Sequence, residues 1–158
     1  MQHGEDYSGQ GVAGWLMSEK LRGCRVYWDG VTLWSRGGLA LTVPSCWTLP
    51  PFPIDCELYD GLDGERRCAT AIKARRIAST MTLCAFDAPE AIGTWQERMA
   101  AVPATNAVHP VPFRVCSGYV DAWRAAIAIQ RRGGEGVMLR HPGIKYLPGR
   151  TRQLLKVK

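Results

Sequence analysis

The side chains in this sequence whose placement could do chemistry are lysines, arginines and carboxylates. Lys20 is the candidate nucleophile. It stands in Ser18-Glu19-Lys20-Leu21-Arg22-Gly23-Cys24-Arg25, between an apolar run and a glycine. A lysine amine has an ordinary pKa of about 10.4 and attacks only where its surroundings disfavour the charge. Gly14-Trp15-Leu16-Met17 offers a dry strand, and Arg22 and Arg25 offer neighbouring positive charge; both would favour a neutral amine. Gly23 permits a turn or a close ligand approach that a side chain would block. Taken alone, the same lysine also reads as an ordinary solvated residue at a strand end.

Other charged groups recur at regular spacing. Asp55 and Glu57 lie two apart in Ile54–Tyr59 and so face the same side of a strand. Glu135 stands at the mouth of the apolar run Gly136-Val137-Met138-Leu139. Lys156 and Lys158 alternate to one side of Leu154-Leu155-Lys156-Val157-Lys158. Arg66, Arg67, Lys73, Arg75 and Arg76 crowd one stretch, which reads either as a solvated helix face or as a contact with duplex phosphates.

These residues need elements to hold them. Residues 1–14 are polar and glycine-rich, and are expected as a flexible terminus. Gly9-Gln10-Gly11-Val12-Ala13-Gly14 spells a dinucleotide-binding pattern, but too little chain precedes it for a buried strand and Trp15–Lys20 reads as extended, so that reading is rejected. Cys24–Trp28 and Val31–Ser35 form a hairpin around Asp29-Gly30. Leu39–Val43 is a short strand, followed by a proline-rich connector to Pro53. Ile54–Tyr59 and Met81–Phe86 are strands, with a basic helix Glu65–Ser79 between them. A helix is expected from Pro89 to Ala101 and another from Tyr119 to Arg132, stopped by Gly133-Gly134. Val102–Pro112 is expected as a loop leading to a strand around Phe113–Cys116.

Lys20 to Arg25 resembles the Lys-x-Asp-Gly-x-Arg motif of ATP-dependent DNA ligases, RNA ligases and capping enzymes. Further segments resemble that superfamily's later motifs in order: Ser35-Arg36-Gly37-Gly38, Asp55-Cys56-Glu57-Leu58-Tyr59, Ala85-Phe86-Asp87, Glu135–Leu139 and Leu154–Lys158. Ser-Glu-Lys-Leu, Tyr-Trp-Asp-Gly and Tyr-x-x-Gly-Arg before Leu-Leu-Lys are similar to the small ligases of bacteria and their phages. The resemblance runs from about Trp15 to Lys158. It implies an α+β fold, an ATP-grasp-like nucleotidyltransferase (adenylation) domain over residues 15–158, with two antiparallel sheets flanked by helices around a nucleotide cleft; as a departure from the family, no C-terminal oligonucleotide-binding barrel is expected within these residues.

By resemblance, Lys20 takes AMP from ATP with Lys156 and Lys158 offsetting phosphate charge. Ser18, Glu19, Arg25, Arg36, Glu57 and Phe86 bind the nucleotide, Phe86 by stacking on adenine. Glu57 and Glu135 hold Mg²⁺, or Mn²⁺ in its place, and Asp87 can help. AMP would then pass to the 5′ phosphate of nicked double-stranded DNA, and the 3′ hydroxyl would displace it. Arg66, Arg67, Lys73, Arg75 and Arg76 would touch that DNA. The pattern departs from the family at Arg22, where the motif has aspartate. The sequence stops at Lys158, where such ligases usually continue into that barrel, which leaves open a stand-alone minimal ligase, a catalytic half served by a separate barrel or clamp protein, or a shortened chain. Alternatives within reach are an RNA ligase, a guanylyltransferase, or a weakly catalytic nucleic-acid-binding module.

Composition is compatible with this. The chain has 158 residues, 46% hydrophobic, enough for one real core, and a net charge of +6 that favours a polyanionic partner. Six cysteines and three histidines show no Cys-x-x-Cys, which speaks against structural zinc. With no signal peptide and no long apolar run, a monomer in the reducing cytoplasm of a bacterial cell or phage-infected host is expected, away from membranes.

Overall fold

Alternating hydropathy gives each of two sheets one dry face and one polar face. The computed structural model describes residues 1–158, with eleven strands and three helices. In chain order these are β1 (Gln2–Asp6), β2 (Leu16–Lys20), β3 (Cys24–Trp28), β4 (Leu33–Ser35), β5 (Ala40–Leu41), β6 (Ile54–Tyr59), α1 (Glu65–Lys73) and β7 (Thr82–Asp87). There follow α2 (Trp95–Ala100), β8 (Val108–Pro110), β9 (Phe113–Val115), α3 (Tyr119–Arg131), β10 (Gly136–Arg140) and β11 (Gly149–Val157). The chain forms two compact units: residues 1–21 with 111–158, and residues 22–110. No helix is long and apolar enough to cross a membrane.

The first unit holds the sheet β1-β11-β10-β2-β9, antiparallel except for the parallel β1–β11 edge. Leu139 lies across from Met17 and Leu155, and Val137 across from Glu19 and Val157. Directly opposed residues share a face, so this side is apolar, and it closes on Ala122, Ala126 and Ile129 of α3. Those three recur at helical spacing, which is why a helix covers this face. The other face carries Ser18 and Lys20 of β2, Met138 and Arg140 of β10, and Lys156 of β11.

The second unit holds the sheet β5-β4-β3-β6-β7-β8, with β7–β8 parallel. Val26, Leu33, Ile54, Cys56, Leu58, Leu83 and Ala85 are fully buried and pack with Cys68 and Ala71 of α1. The opposite face pairs Arg25 with Glu57, and Tyr27 with both Asp55 and Trp34.

Several elements differ from expectation. Gln2–Asp6, within the segment expected to be flexible, is a strand paired with β11. The hairpin turn spans four residues, because the Asp29 carboxylate accepts from the Val31 and Thr32 amides at 2.8 and 2.6 Å and extends the loop. The basic helix stops at Lys73: Arg75 turns left-handed (φ 54°), and Arg76 bridges to Thr42. The helix expected from Pro89 starts only at Trp95, where Thr94 and Glu97 form a capping box. Val108–Pro110, expected in a loop, is the parallel strand β8.

Candidate active site

In the first unit Lys20 ends β2 directly opposite Gly136, and its amine is ion-paired to the Glu135 carboxylate. Both side chains keep about one fifth of their surface exposed (20% and 22%). Local sequence explains the placement of Glu135. Gly133 is left-handed (φ 91°) and ends α3, and Gly136 (φ 139°) leaves no room for a Cβ against the Val157 carbonyl. Glu135 is thereby fixed where β10 begins. Positive neighbours were expected for Lys20; its charged partner is an acid, and Arg25 is instead engaged by Asp55.

Lys156 lies on the same face, separated from β2 by β10, so about 10 Å away in strand spacings. Its amine is 3.2 Å from Asp6 on β1. Lys158 follows β11 and is exposed. Ser18, also on this face, accepts a 2.8 Å hydrogen bond from Arg140, and both residues are buried. Sequence reasoning missed Arg140 and Asp6. A charge ending the apolar strand Val137-Met138-Leu139-Arg140 was the available signal, because a buried arginine requires partners. Strand alternation turns Glu19 to the opposite side of β2, where Arg132 holds it; Glu19 is not brought together with Lys20.

In the second unit Arg25 makes a two-pronged contact with Asp55, Nε–Oδ1 3.0 Å and Nη2–Oδ2 2.5 Å. Asp55 is fully buried, and the fork geometry satisfies both oxygens. The Arg25 guanidinium also stands 5.1 Å from the Phe86 ring centre. Beside them, Glu57 accepts a 3.1 Å bond from the Gly23 amide. A side chain at Gly23 would collide with the Leu58 carbonyl, so the close approach expected of this glycine is to β6. Arg25, Glu57 and Phe86 therefore form one cluster, while Arg36 lies exposed in the turn after β4.

Asp87 does not join that cluster as a metal acid. Arg98 grips it at 2.8 and 3.0 Å, and both are buried, which makes the pair part of the fold. Arg66, Arg67, Lys73, Arg75 and Arg76 are all exposed, Arg67 being paired with Asp60. No group of three or more histidine, cysteine, aspartate or glutamate side chains stands together to hold a metal. Glu57 and Glu135 belong to different units. Such single carboxylates suit Mg²⁺, which commonly takes one or two protein acids and completes its shell with water and substrate phosphates.

Four of the six thiols are held in the neutral form that makes a poor nucleophile. Burial pushes Cys68 up to about 12 and holds Cys56 well above the ordinary thiol value. Burial also raises Cys84 and Cys24.

No protein-family model matches the chain. A DNA ligase of Haemophilus influenzae is 32% identical over 162 aligned positions, which cover 96% of this chain and 60% of that protein. The chain thus spans about 60% of the length of this curated relative. Among solved structures, one from a structure–function analysis of Lig E DNA ligases, concerned with DNA binding by a minimal scaffold, superimposes with TM-score 0.82 at 28% identity. It covers 100% of this chain and 68% of its own. The Chlorella virus DNA ligase-adenylate shares the fold, with TM-score 0.79 at 17% identity over 99% of this chain and 67% of its own.

Proposed function

We propose that this chain, a homologue of DNA ligases with the fold of their adenylation-type domain, transfers AMP from ATP to Lys20 and onward to nicked duplex DNA. One observation carries the reading: Lys20 and Lys156 share a sheet face, with Glu135 hydrogen-bonded to the candidate nucleophile.

In the first step the Lys20 nitrogen bonds to the α-phosphorus, and the bond from that phosphorus to the bridging oxygen breaks as pyrophosphate leaves. Glu135 stands at the amine's proton and is the group placed to receive it. Lys156 and Lys158 face the charge that builds on the phosphates, and Arg140 holds Ser18 beneath them. Such a displacement needs positioning and charge neutralisation more than covalent help, which accounts for a site of lysines, arginines and carboxylates. When bound, Mg²⁺ or Mn²⁺ would neutralise phosphate charge; Glu57 would be one acid to hold it, and Glu135 another once the Lys20 proton has left.

Arg25, Glu57 and Phe86 form the ribose- and base-binding group, with Arg36 towards phosphate; Ser18 lines the lysine face. Glu19, turned away, contributes through its place in the chain beside Lys20. AMP then moves to a 5′ phosphate, and the adjacent 3′ hydroxyl displaces it to close the strand. The exposed Arg66, Lys73, Arg75 and Arg76, with Arg67, grip duplex phosphates. We further propose a cytoplasmic monomer, assisted on DNA by an oligonucleotide-binding barrel or clamp.

Intact-mass measurement after incubation with ATP and Mg²⁺ tests the first step. The wild type should gain one AMP, whereas Lys20→Ala should gain none and GTP should not substitute. An unmodified wild type, freed beforehand of any bound AMP, would sink the reading. Arg22, standing where ligases carry an acid, favours a second one: a weakly catalytic module that binds nicks. Nick binding without an adduct, restored to adduct formation by Arg22→Asp, would select it.

A further inference from the structure

Three aromatic rings lie stacked in the first unit, Tyr7 half-buried against its core and Tyr119 and Trp123 exposed. Tyr7 and Tyr119 stand with ring centres 5.4 Å apart and planes 16° from parallel; Tyr119 and Trp123 follow at 6.2 Å and 24°. Tyr119 and Trp123 are one helical turn apart on α3, which places them side by side. Neither belongs to the core that α3 covers: they remain 49% and 43% exposed, while Ala122, Ala126 and Ile129 are buried. Large aromatic surface left in water marks a contact site more often than chance.

A groove of about 320 Å³ opens beside the stack, lined by Asp6, Tyr7, Trp123, Lys156, Val157 and Lys158. Its size is at the lower end for small-ligand sites, suited to one nucleotide. Lys156 is 3.2 Å from Asp6, which leaves the exposed Lys158 at the rim as the ammonium open to a phosphate. Near-parallel rings beside cations are what a base with its phosphate requires, since every base has a face to stack and a phosphate to neutralise.

We propose that this groove binds an unpaired nucleotide of a DNA strand, its base against the exposed ring of Trp123 and its phosphate at Lys158. The site shares its two lysines with the adenylation reading, but Lys20 is not among the residues that line it. A base still paired in a duplex cannot offer its face, so the partner is a frayed, flapped or single-stranded end.

The test compares a ten-nucleotide thymidine oligomer with an abasic oligomer of equal length and charge, by fluorescence anisotropy at fixed salt. The thymidine oligomer should bind about ten-fold more tightly to the wild-type chain, in the range expected for base stacking. Trp123→Ala should erase that preference, Trp123→Phe should keep most of it, and Lys158→Ala should weaken both oligomers alike. A wild type that binds the two equally overturns the proposal. So does a chain that sediments as a dimer dissolved by Trp123→Ala, which would give the face to a second copy. Adduct mass read in parallel separates the two proposals. Trp123→Ala should still take up AMP, and a base preference in a chain that never forms the adduct supports the groove while sinking the nucleophile.

Discussion

At Asp121 three donors meet: Arg114 Nη1 at 2.7 Å, Arg114 Nη2 at 2.6 Å and the Ser117 amide at 3.0 Å. The hydrogen-bonded Arg114 side chain, joined by Ser117, holds this carboxyl well below the usual carboxylate range. Because the folded value is depressed, the stabilisation is complete above the unfolded value of about 3.9 and is lost as the pH falls below it. Asp121→Asn should therefore lower Tm at pH 7 by about 3 °C, and the gap to wild type should narrow steadily as the pH falls below about 4 in thermal melts. Residues of this kind show unequally in a sequence. Lys20, Glu57 and Glu135 stood out because each sits in a short motif whose order carried meaning. Asp6 and Arg140 did not, because their partners Lys156 and Ser18 are remote in the chain and only strand register brings them together.

Gly136 shows how much an element can depend on one backbone geometry. Its φ of 139° is open to glycine alone, and any Cβ would strike the Val157 carbonyl on the neighbouring strand. Gly136→Ala should cost about 2 kcal/mol or more in denaturant unfolding, and adduct formation should fall further than stability does, because Glu135 immediately precedes it. Elements with their own pattern were legible: the apolar runs of β7 and β10 and the helical spacing of α3. β1 was not, since Gln-His-Gly-Glu-Asp has no strand pattern and is held only by its pairing with β11. The start of α2 was legible in principle from Thr94-x-x-Glu97, but Pro89 offered a competing start.

Across the whole molecule the net charge of +6 and the exposed basic set of α1 and the turn after it predict salt-sensitive DNA binding. Each phosphate contact contributes about 0.9 to the slope of log affinity against log salt. Replacing Lys73, Arg75 and Arg76 with alanine should flatten that slope by about 2 to 3 in a titration with nicked duplex; an unchanged slope would mark these residues as merely solvated. The α+β class followed from the motif order, while the division into two units did not, because the second is inserted between the two parts of the first. That nesting governs when the protein comes to life on the ribosome. Residues 22–110 are contiguous and emerge together, whereas β11, made last, must enter beside β10 before β1 finds a partner. A nascent chain therefore holds Lys20 without Lys156, so a half-made copy has no assembled lysine face.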